Sequence, residues 1–405
     1  MEIDEARRLI SDHIEVIDEY EYVPVSASCG RIVFEDIRAH VSVPHFPKSA
    51  MDGYAVRAED VSEASKDTPV TLRVICEKDA GDDPSLPREA GDIKGTAVRI
   101  MTGAQVPEGY DTVVKQEDTD LGEDEVRIFT SPARFTNYCR PGEDIREGDI
   151  VIDGGRRIGR IEAGILSSLG MSRVKVLRTP RAAVIATGSE LIRPGEKLTD
   201  GKIYSSLSTV LRISLESAGF DVSDYIAKDD EEEISNLIEN ALIDCDLVIT
   251  TGGVSVGKKD LVPLCLDKVG AVKIFEGIDI RPGSPTTGSV KDGKFILSLS
   301  GNPYAAIACF DYFIGHIVYA LTDSIDLIPV ETGAVVEDDY PKVRPVRMLI
   351  RAFMRNGRVY LPARDHQSSV FSNLRRCNCY IDLPAGEKLN AGDTVKVIKI
   401  PGGPA

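Results

Sequence analysis

Asp246-Leu-Val-Ile-Thr-Thr-Gly-Gly-Val-Ser-Val-Gly-Lys-Lys-Asp260 runs a short apolar segment straight into a loop of glycines and small polar residues. An apolar run of this length, bounded by turn residues, reads as a buried parallel strand. The pattern occurs twice more. Ala182-Ala-Val-Ile-Ala186 leads into Thr187-Gly-Ser-Glu-Leu191, and Phe295-Ile-Leu-Ser-Leu-Ser300 leads into Gly301-Asn-Pro303 and a helix-like run to Phe313. Ligands of an open α/β sheet bind beyond the carboxyl ends of such strands, where loops carry free N–H groups and helix N-termini. Three such loops in one domain predict one shared pocket for an anion.

Outward from these strands the character changes. From Val174 to about residue 323, strand and helix patterns alternate, which predicts a doubly wound parallel sheet. Residues 2–18 read as an amphipathic helix, with Ile3, Ala6, Leu9, Ile10 and Ile14 at helical spacing. Residues 45–145 are rich in Gly, Pro and Asp and predict a small β-rich domain. Residues 158–170 read as a helix ending at Gly170, a residue suited to the C′ position. Beyond residue 326, Val346, Met348 and Ile350 alternate with Arg347, Leu349 and Arg351. Asn356-Gly357 supplies a type I′ turn before Arg358–Leu361, and Thr394–Ile400 closes the pattern. The fold class is multidomain α/β plus β.

The chain has 405 residues, enough for two to four domains. Its net charge of −17 argues against nucleic acid as a partner, since binding one demands basic patches. An acidic protein with an anion pocket must neutralise charge locally, and a divalent cation is the natural device. No run approaching about 20 apolar residues is evident, so no membrane span is expected. The acidic start Met1-Glu-Ile-Asp-Glu5 lacks the form of a signal peptide, and a cytoplasmic protein is expected. The eight cysteines are scattered, with Cys377-Asn-Cys379 the one close pair. They read as idle thiols of a reducing compartment. The five histidines have no metal-binding spacing, so no structural zinc is expected.

Several loops carry candidate chemistry, each with a plainer alternative. In Pro44–Arg57, Ser49, Asp52 and Gly53 form a tight turn before Tyr54-Ala-Val56. The carboxylate there suits a heterocycle's N–H groups or a cation, or it serves an Asp-Gly turn. Thr102 and Gly103, within Arg99–Pro107, suit an oxyanion or a simple turn. Arg140-Pro-Gly-Glu-Asp144 sets a cation beside two carboxylates, or makes a surface ion pair. Gly252, Gly253, Ser255 and Gly257 let backbone approach an anion closely. Asp260 falls in the first turn of the next helix, either as a site residue or as an ordinary helix-start acid. Asp229-Asp230 opens the helix 231–242, where capping is the plain reading. No dinucleotide fingerprint, Walker A sequence or nucleophile elbow occurs.

Together, SAMDGYAVR, RIMTGAQVP, RPGED, ATGSEL, TTGGVSVGKKD and SGNP resemble, in order and over nearly the whole chain, the molybdopterin molybdenumtransferase family, the MoeA family that includes the gephyrin E domain. Gln367-Ser-Ser369 and Leu389–Asp393 also look like its terminal β domain. The resemblance implies four parts: an N-terminal linking domain over 1–44 and 146–177, an inserted lid over 45–145, a molybdopterin-binding α/β domain over 178–325 and a C-terminal β domain over 326–405. It implies a homodimer in which the lid of one subunit meets the α/β domain of the other. It implies Mg²⁺, adenylylated molybdopterin and molybdate, release of AMP, and an upstream molybdopterin adenylyltransferase as a partner.

By position, the resemblance makes Asp52, Asp144, Glu190, Asp229 and Asp260 the catalytic carboxylates, with Glu190, Asp229 and Asp260 on the metal. Substrate would meet Ser49, Thr102, Gly103, Thr187, Gly188, Gly252, Gly253, Ser255, Arg281, Ser284, Ser300, Asn302 and Pro303. Two places depart from the family pattern. Its Pro-Gly-Lys-Pro reads Pro282-Gly-Ser-Pro285, and its Asp-x-Asn after Ile-Tyr reads Ser205-Ser-Leu207. These departures leave open a tungstate-using paralog and a non-catalytic pterin-binding scaffold, and the α/β domain type, shared between molybdenum insertion and molybdopterin adenylylation, leaves open a molybdopterin adenylyltransferase.

Overall fold

The computed structural model describes residues 1–254, 260–340, 342–362, 367 and 370–400. The chain divides into two compact units, one of residues 36–153 and 161–172, the other of residues 1–35, 154–160 and 173–405. The larger unit opens with α1 (Ile3–His13), whose Ile3, Ala6 and Ile10 are buried as the spacing predicts. It ends five residues short of the expected 18.

The smaller unit is β-rich, as its composition predicts. Its sheet contains β1 (Gly53–Val56), β2 (Val70–Lys78), β3 (Thr96–Ile100), β4 (Thr112–Lys115) and β5 (Glu125–Ile128), in the order β4-β1-β3-β2-β5. All pairings are antiparallel except β2–β3. Gly53 is required by close approach, since a Cβ there would stand 1.9 Å from Val114 O. The unit starts at Asp36. Ile37–Arg38 pairs with Ile150–Ile152, and Ala39 and Ile145 pack on Leu169 behind helix α2 (Arg160–Ser168). That helix ends as expected at Gly170, with φ +75°.

In the larger unit the three quoted runs are strands. They are β6 (Arg181–Thr187), followed by α3 (Ser206–Ala218), β7 (Asp221–Ala227), α4 (Glu231–Asp244), β8 (Leu247–Thr251), α5 (Val262–Lys268), β9 (Val272–Glu276), β10 (Ile280–Arg281), β11 (Thr287–Lys291), and β12 (Lys294–Leu299). The sheet order is β7-β6-β8-β12-β11-β9. The first four strands are parallel, but β11 runs antiparallel between β12 and β9. The expected parallel sheet therefore holds for β7, β6, β8 and β12, of which the last three are almost wholly buried. The two-residue turn at Asp292-Gly293 joins β11 to β12 too tightly for a parallel crossover.

The run expected to end at Phe313 is one helix, α6 (Pro303–Thr322). By length and composition it is apolar enough to cross a membrane, contrary to the expectation that no stretch is. Sixteen of its residues are buried, packed on α1, α3 and the sheet within the unit's core. After it, β13 (Glu331–Val336), β14 (Arg347–Arg355), β15 (Arg358–Tyr360), β16 (Cys379–Leu383) and β17 (Thr394–Lys399) close into a barrel, since β16 pairs with both β17 and β14. Asn356 and Gly357 both have positive φ, as a type I′ turn requires. The short β10 leaves the α/β sheet and pairs in parallel with β14.

Polar contacts join these layers. Arg347 holds Asp382 through two bonds (2.6 and 2.7 Å) and reaches Asp4 of α1 (2.9 Å). Burial opposes ionisation of Asp4, but hydrogen bonds from Arg347 and Tyr312 outweigh it and hold the carboxyl at about 2. Within α6, burial raises Asp311 to about 7 against the hydrogen bond from Tyr380. Burial, with Arg7 nearby, lowers His316 to about 4.

The two groups act on stability with opposite sign. The folded state holds an extra proton on Asp311 between about pH 4 and 7, so that contribution is lost as pH rises through the window. His316 stays neutral in the folded state down to about pH 4, so its contribution is lost as pH falls from about 6.5. Denaturant unfolding followed across pH 4–7 should show Asp311→Asn gaining on the parent as pH rises. His316→Gln should gain on it as pH falls. Parallel curves for parent and variants are the contrary result.

Candidate active site

Three strand ends enclose the first cavity. The Thr187 hydroxyl, at the end of β6, donates to Thr251 O at the end of β8 (3.1 Å). The Gly252 N–H donates to Leu299 O at the end of β12 (3.1 Å). These loops meet backbone to backbone: a Cβ on Gly252, at φ +86°, would stand 2.6 Å from Thr187 O. One on Gly301 would stand 3.4 Å from Gly252 Cα. Around them lies a cavity of about 400 Å³, lined by Thr187, Gly188, Glu190, Asp229, Gly252, Gly253, Asp260, Ser300 and Pro303. Tyr204, Ser205 and Leu207 form another part of its wall. Three carboxylates and no Lys or Arg are among its described lining residues.

The loop after β6 is fixed reciprocally. Ser189 N donates to Asp229 Oδ2 and Asp229 N donates to Ser189 Oγ, both at 3.1 Å. Lys202 Nζ donates to Ser189 O (2.5 Å). Of the pair expected to cap α4, Asp230 does so, accepting from Glu233 N (2.8 Å), which leaves Asp229 to the loop. Asp260 precedes α5 rather than lying in its first turn. Pro263 takes a first-turn position, where a missing N–H costs nothing, so the helix begins at Val262.

A second cavity, of about 590 Å³, lies where the Arg281–Pro285 turn and the start of α6 face β14. Arg281, Lys342, Arg344 and Arg351 line it, with no acid among the described lining residues. No ion pair of the described residues involves Arg281, Lys342 or Arg344. Arg351 is 1% exposed. Its Nη1 donates to Val370 O and its Nη2 to Gln367 O (2.9 Å).

The structure thus splits residues expected to share one pocket. Arg281, Ser284 and Asn302 line the second cavity, because β10 leaves the α/β sheet for the barrel. Ser284 Oγ donates to Ile280 O (2.7 Å), and Asn302 Oδ1 caps α6 by accepting from Ala305 N (3.2 Å). Ser300 Oγ accepts from Asn302 N (3.2 Å). Ser255 lies outside the described residues, as do Ser368 and Ser369.

In the smaller unit, Asp52 Oδ1 accepts from Thr102 N (2.7 Å) and Thr102 Oγ1 (2.6 Å). Those bonds hold the exposed Asp52 carboxyl below its usual range. Gly103 N donates to Ser49 O (2.8 Å), and Ser49 Oγ donates to Met51 O (2.5 Å). The donors of Thr102 and Gly103, expected to cradle an oxyanion, are therefore engaged within their own cluster. Asp144 is exposed within the Arg140–Ile145 turn, where its N–H donates to Val43 O (3.0 Å).

The first cavity's donor set fits a hard divalent cation in part. Glu190, Asp229 and Asp260 are oxygen donors, and no Lys or Arg is among the described lining residues. Among the described residues, however, no three acidic, His or Cys side chains converge closely enough to enclose a metal alone. Mg²⁺ commonly takes one or two carboxylates and completes its shell with water and substrate phosphate, and this arrangement suits that habit.

Family models match in three blocks: the MoeA N-terminal region (domain I and II) over residues 1–170, a probable molybdopterin binding domain over 183–319, and the MoeA C-terminal region (domain IV) over 333–400. Molybdopterin molybdenumtransferase of Staphylococcus epidermidis (strain ATCC 35984) is 36% identical over 397 residues, 97% of this chain and 93% of the relative. That of Staphylococcus aureus (strain Mu50) is 36% identical over 381 residues, 93% and 90% of the two chains. The chain belongs to the MoeA family. The crystal structure of the molybdopterin biosynthesis MoeA protein from Pyrococcus horikoshii superposes with a TM-score of 0.84, at 28% identity, covering 99% of both chains. A molybdenum cofactor biosynthesis protein from Pyrococcus furiosus shares the fold, with a TM-score of 0.60 at 19% identity over 98% of this chain and 99% of that one.

Reading the sequence missed Lys342, Arg344, Arg351 and Tyr304. The signal was slight: Leu349 shares a strand face with Arg347 and Arg351, a sign that this face is partly covered.

Gly188 and Gly252 separate geometry from stability. A Cβ on Gly188 would stand 2.8 Å from both Glu190 carboxylate oxygens, which are free to swing away. Gly188→Ala, at φ +154°, strains the backbone and should displace that carboxylate, lowering turnover by up to about 100-fold, the cost of a misplacement of about 1 Å at a working site. Gly252→Ala meets a backbone carbonyl that cannot swing, so its melting temperature should fall further than that of Gly188→Ala. Equal melting shifts, or full turnover in Gly188→Ala, would contradict this assignment.

Proposed function

We propose that this chain inserts molybdenum into molybdopterin, taking adenylylated molybdopterin and molybdate and releasing AMP. The observation that carries the reading is the opposite charge of the two cavities on either side of Ser300–Ala305. Ser300, Gly301 and Pro303 line the carboxylate cavity, and Asn302, Tyr304 and Ala305 line the cationic one. Molybdate, a small dianion, suits a cavity with four cations and no described acid. Adenylylated molybdopterin suits the strand-end loops, where Gly252 and Gly253 bring backbone close to a phosphoanhydride.

In this reading Mg²⁺ would be held by one or two of Glu190, Asp229 and Asp260 and would supply neutralisation of phosphate charge. The chain's own residues do the positioning. The Ser189–Asp229 pair and Lys202 fix the loop that carries Glu190. Arg281, Lys342 and Arg344 hold the oxyanion by charge, and Arg351 fixes the far wall. The Asp52–Thr102 cluster keeps an ionised, ordered carboxylate on the smaller unit. A cytoplasmic homodimer of four-part subunits, supplied by an upstream molybdopterin adenylyltransferase, belongs to the same proposal.

The test is AMP release from adenylylated molybdopterin with Mg²⁺, measured by chromatography with and without molybdate. Molybdate-dependent AMP is expected. No AMP above background with either molybdate or tungstate overturns the proposal. Oxyanion affinity is measured separately, by calorimetry with tungstate. Arg281→Gln should weaken it, and Ser284→Lys, which adds a cation to the cavity wall, should tighten it. Charges about 4 Å apart attract by roughly 4 kcal/mol at an effective dielectric near 20, before desolvation. Even a fraction of that is readable, and added salt should reduce it.

A further inference from the structure

The second cavity contains one group with no partner role so far, the aromatic ring at its base. Tyr304 is 5% exposed, and the guanidinium carbon of Arg351 lies 4.0 Å from its ring centroid. A desolvated guanidinium stacked on an aromatic face is held more firmly than one in water. The phenol hydroxyl donates to Leu349 O (2.8 Å) and accepts from Arg351 N (3.2 Å). These are two backbone groups of β14 on the edge facing β10. β10 supplies partners only to Arg347 and Met348, and the chain then turns away at Pro282, which has no N–H. The other edge of β14 is paired to β16 through Met348–Ala352. The hydroxyl of Tyr304 therefore takes the place of the strand partner that β10 does not provide.

From Tyr304 the contacts continue in one direction. Its ring fixes the plane of the Arg351 guanidinium, and the guanidinium holds Val370 O and Gln367 O across the cavity. Tyr304 follows Pro303, which lines the carboxylate cavity, so the ring stands directly behind the loop between the two sites. We infer that Tyr304 is the positioning residue of the cationic cavity: by stacking on Arg351 it fixes the wall at Gln367 and Val370, and so sets the cavity's affinity for a tetrahedral oxyanion. This rests on the reading of that cavity as the oxyanion pocket.

The test is tungstate binding by calorimetry on the full chain, with melting curves to establish that each variant is folded at the assay temperature. Tyr304→Phe keeps the ring and loses both hydroxyl bonds. Tyr304→Leu loses ring and bonds together, and Tyr304→Met gives the same comparison with a more adaptable side chain if Tyr304→Leu does not fold. Loss of the stack should weaken tungstate by about tenfold or more, while Tyr304→Phe should stay within about threefold of the parent. A merely structural tyrosine would give losses that track melting temperature, alike for Phe and Leu. Equal losses in both variants, or parent affinity in the ring-less ones, overturn the inference while leaving the pocket reading intact, provided Arg281→Gln still weakens binding. No saturable tungstate binding by the parent overturns both.

Discussion

Burial of α6 is the constraint to which the rest of the larger unit answers. A 20-residue helix with apolar side chains all round has no face to give to water, so each neighbour covers one side of it. Helix α1 covers one side, α3 and the sheet cover another, and Leu349, Tyr380 and Ile398 of the barrel join the same core. At about 25 cal/mol per Å² of apolar area, burying such a helix outweighs any single polar contact in the unit. The polar exceptions mark where its neighbours attach: Tyr312 to Asp4, Asp311 to Tyr380, Tyr304 to the β14 backbone. The barrel is thereby held on the α/β sheet by the helix that begins at the binding loop.

That arrangement explains how an acidic chain keeps a cationic cavity. Arg281 comes from the strand that leaves the sheet, Lys342 and Arg344 from the approach to β14, and Arg351 from within it. Each is unremarkable in sequence. Their convergence follows from seating the barrel against the start of α6, and the carboxylates stay on the sheet side of the loop. Local charge is set by topology, against a net charge of −17.

What the sequence reveals tracks how local the cause is. The central strands were readable because two-sided burial demands unbroken apolar runs. The Asn356-Gly357 turn was readable because few residue pairs take positive φ twice. The strand-end loops and their carboxylates were readable for the same reason, since glycines must stand where backbone meets backbone. The antiparallel β11 was not readable, because the direction in which a strand pairs is set by its neighbours rather than by its composition. Nor was Asn302 as a helix cap, since a capping amide and a ligand amide share one side chain. Burial of Arg351 was not readable, because alternation along a strand gives two faces and cannot say that both are covered.

The segment from Ser300 to Ala305 also bears on which changes of chain length the protein tolerates. Connecting loops are usually the places where insertions and deletions are absorbed. Here consecutive residues are divided between two cavities of opposite charge, and the next residues cap and enter a fully buried helix. Adding or removing one residue would rotate the Asn302 cap off Ala305 and carry Tyr304 to the carboxylate side. The loop is therefore fixed in length as firmly as any core strand is fixed in register.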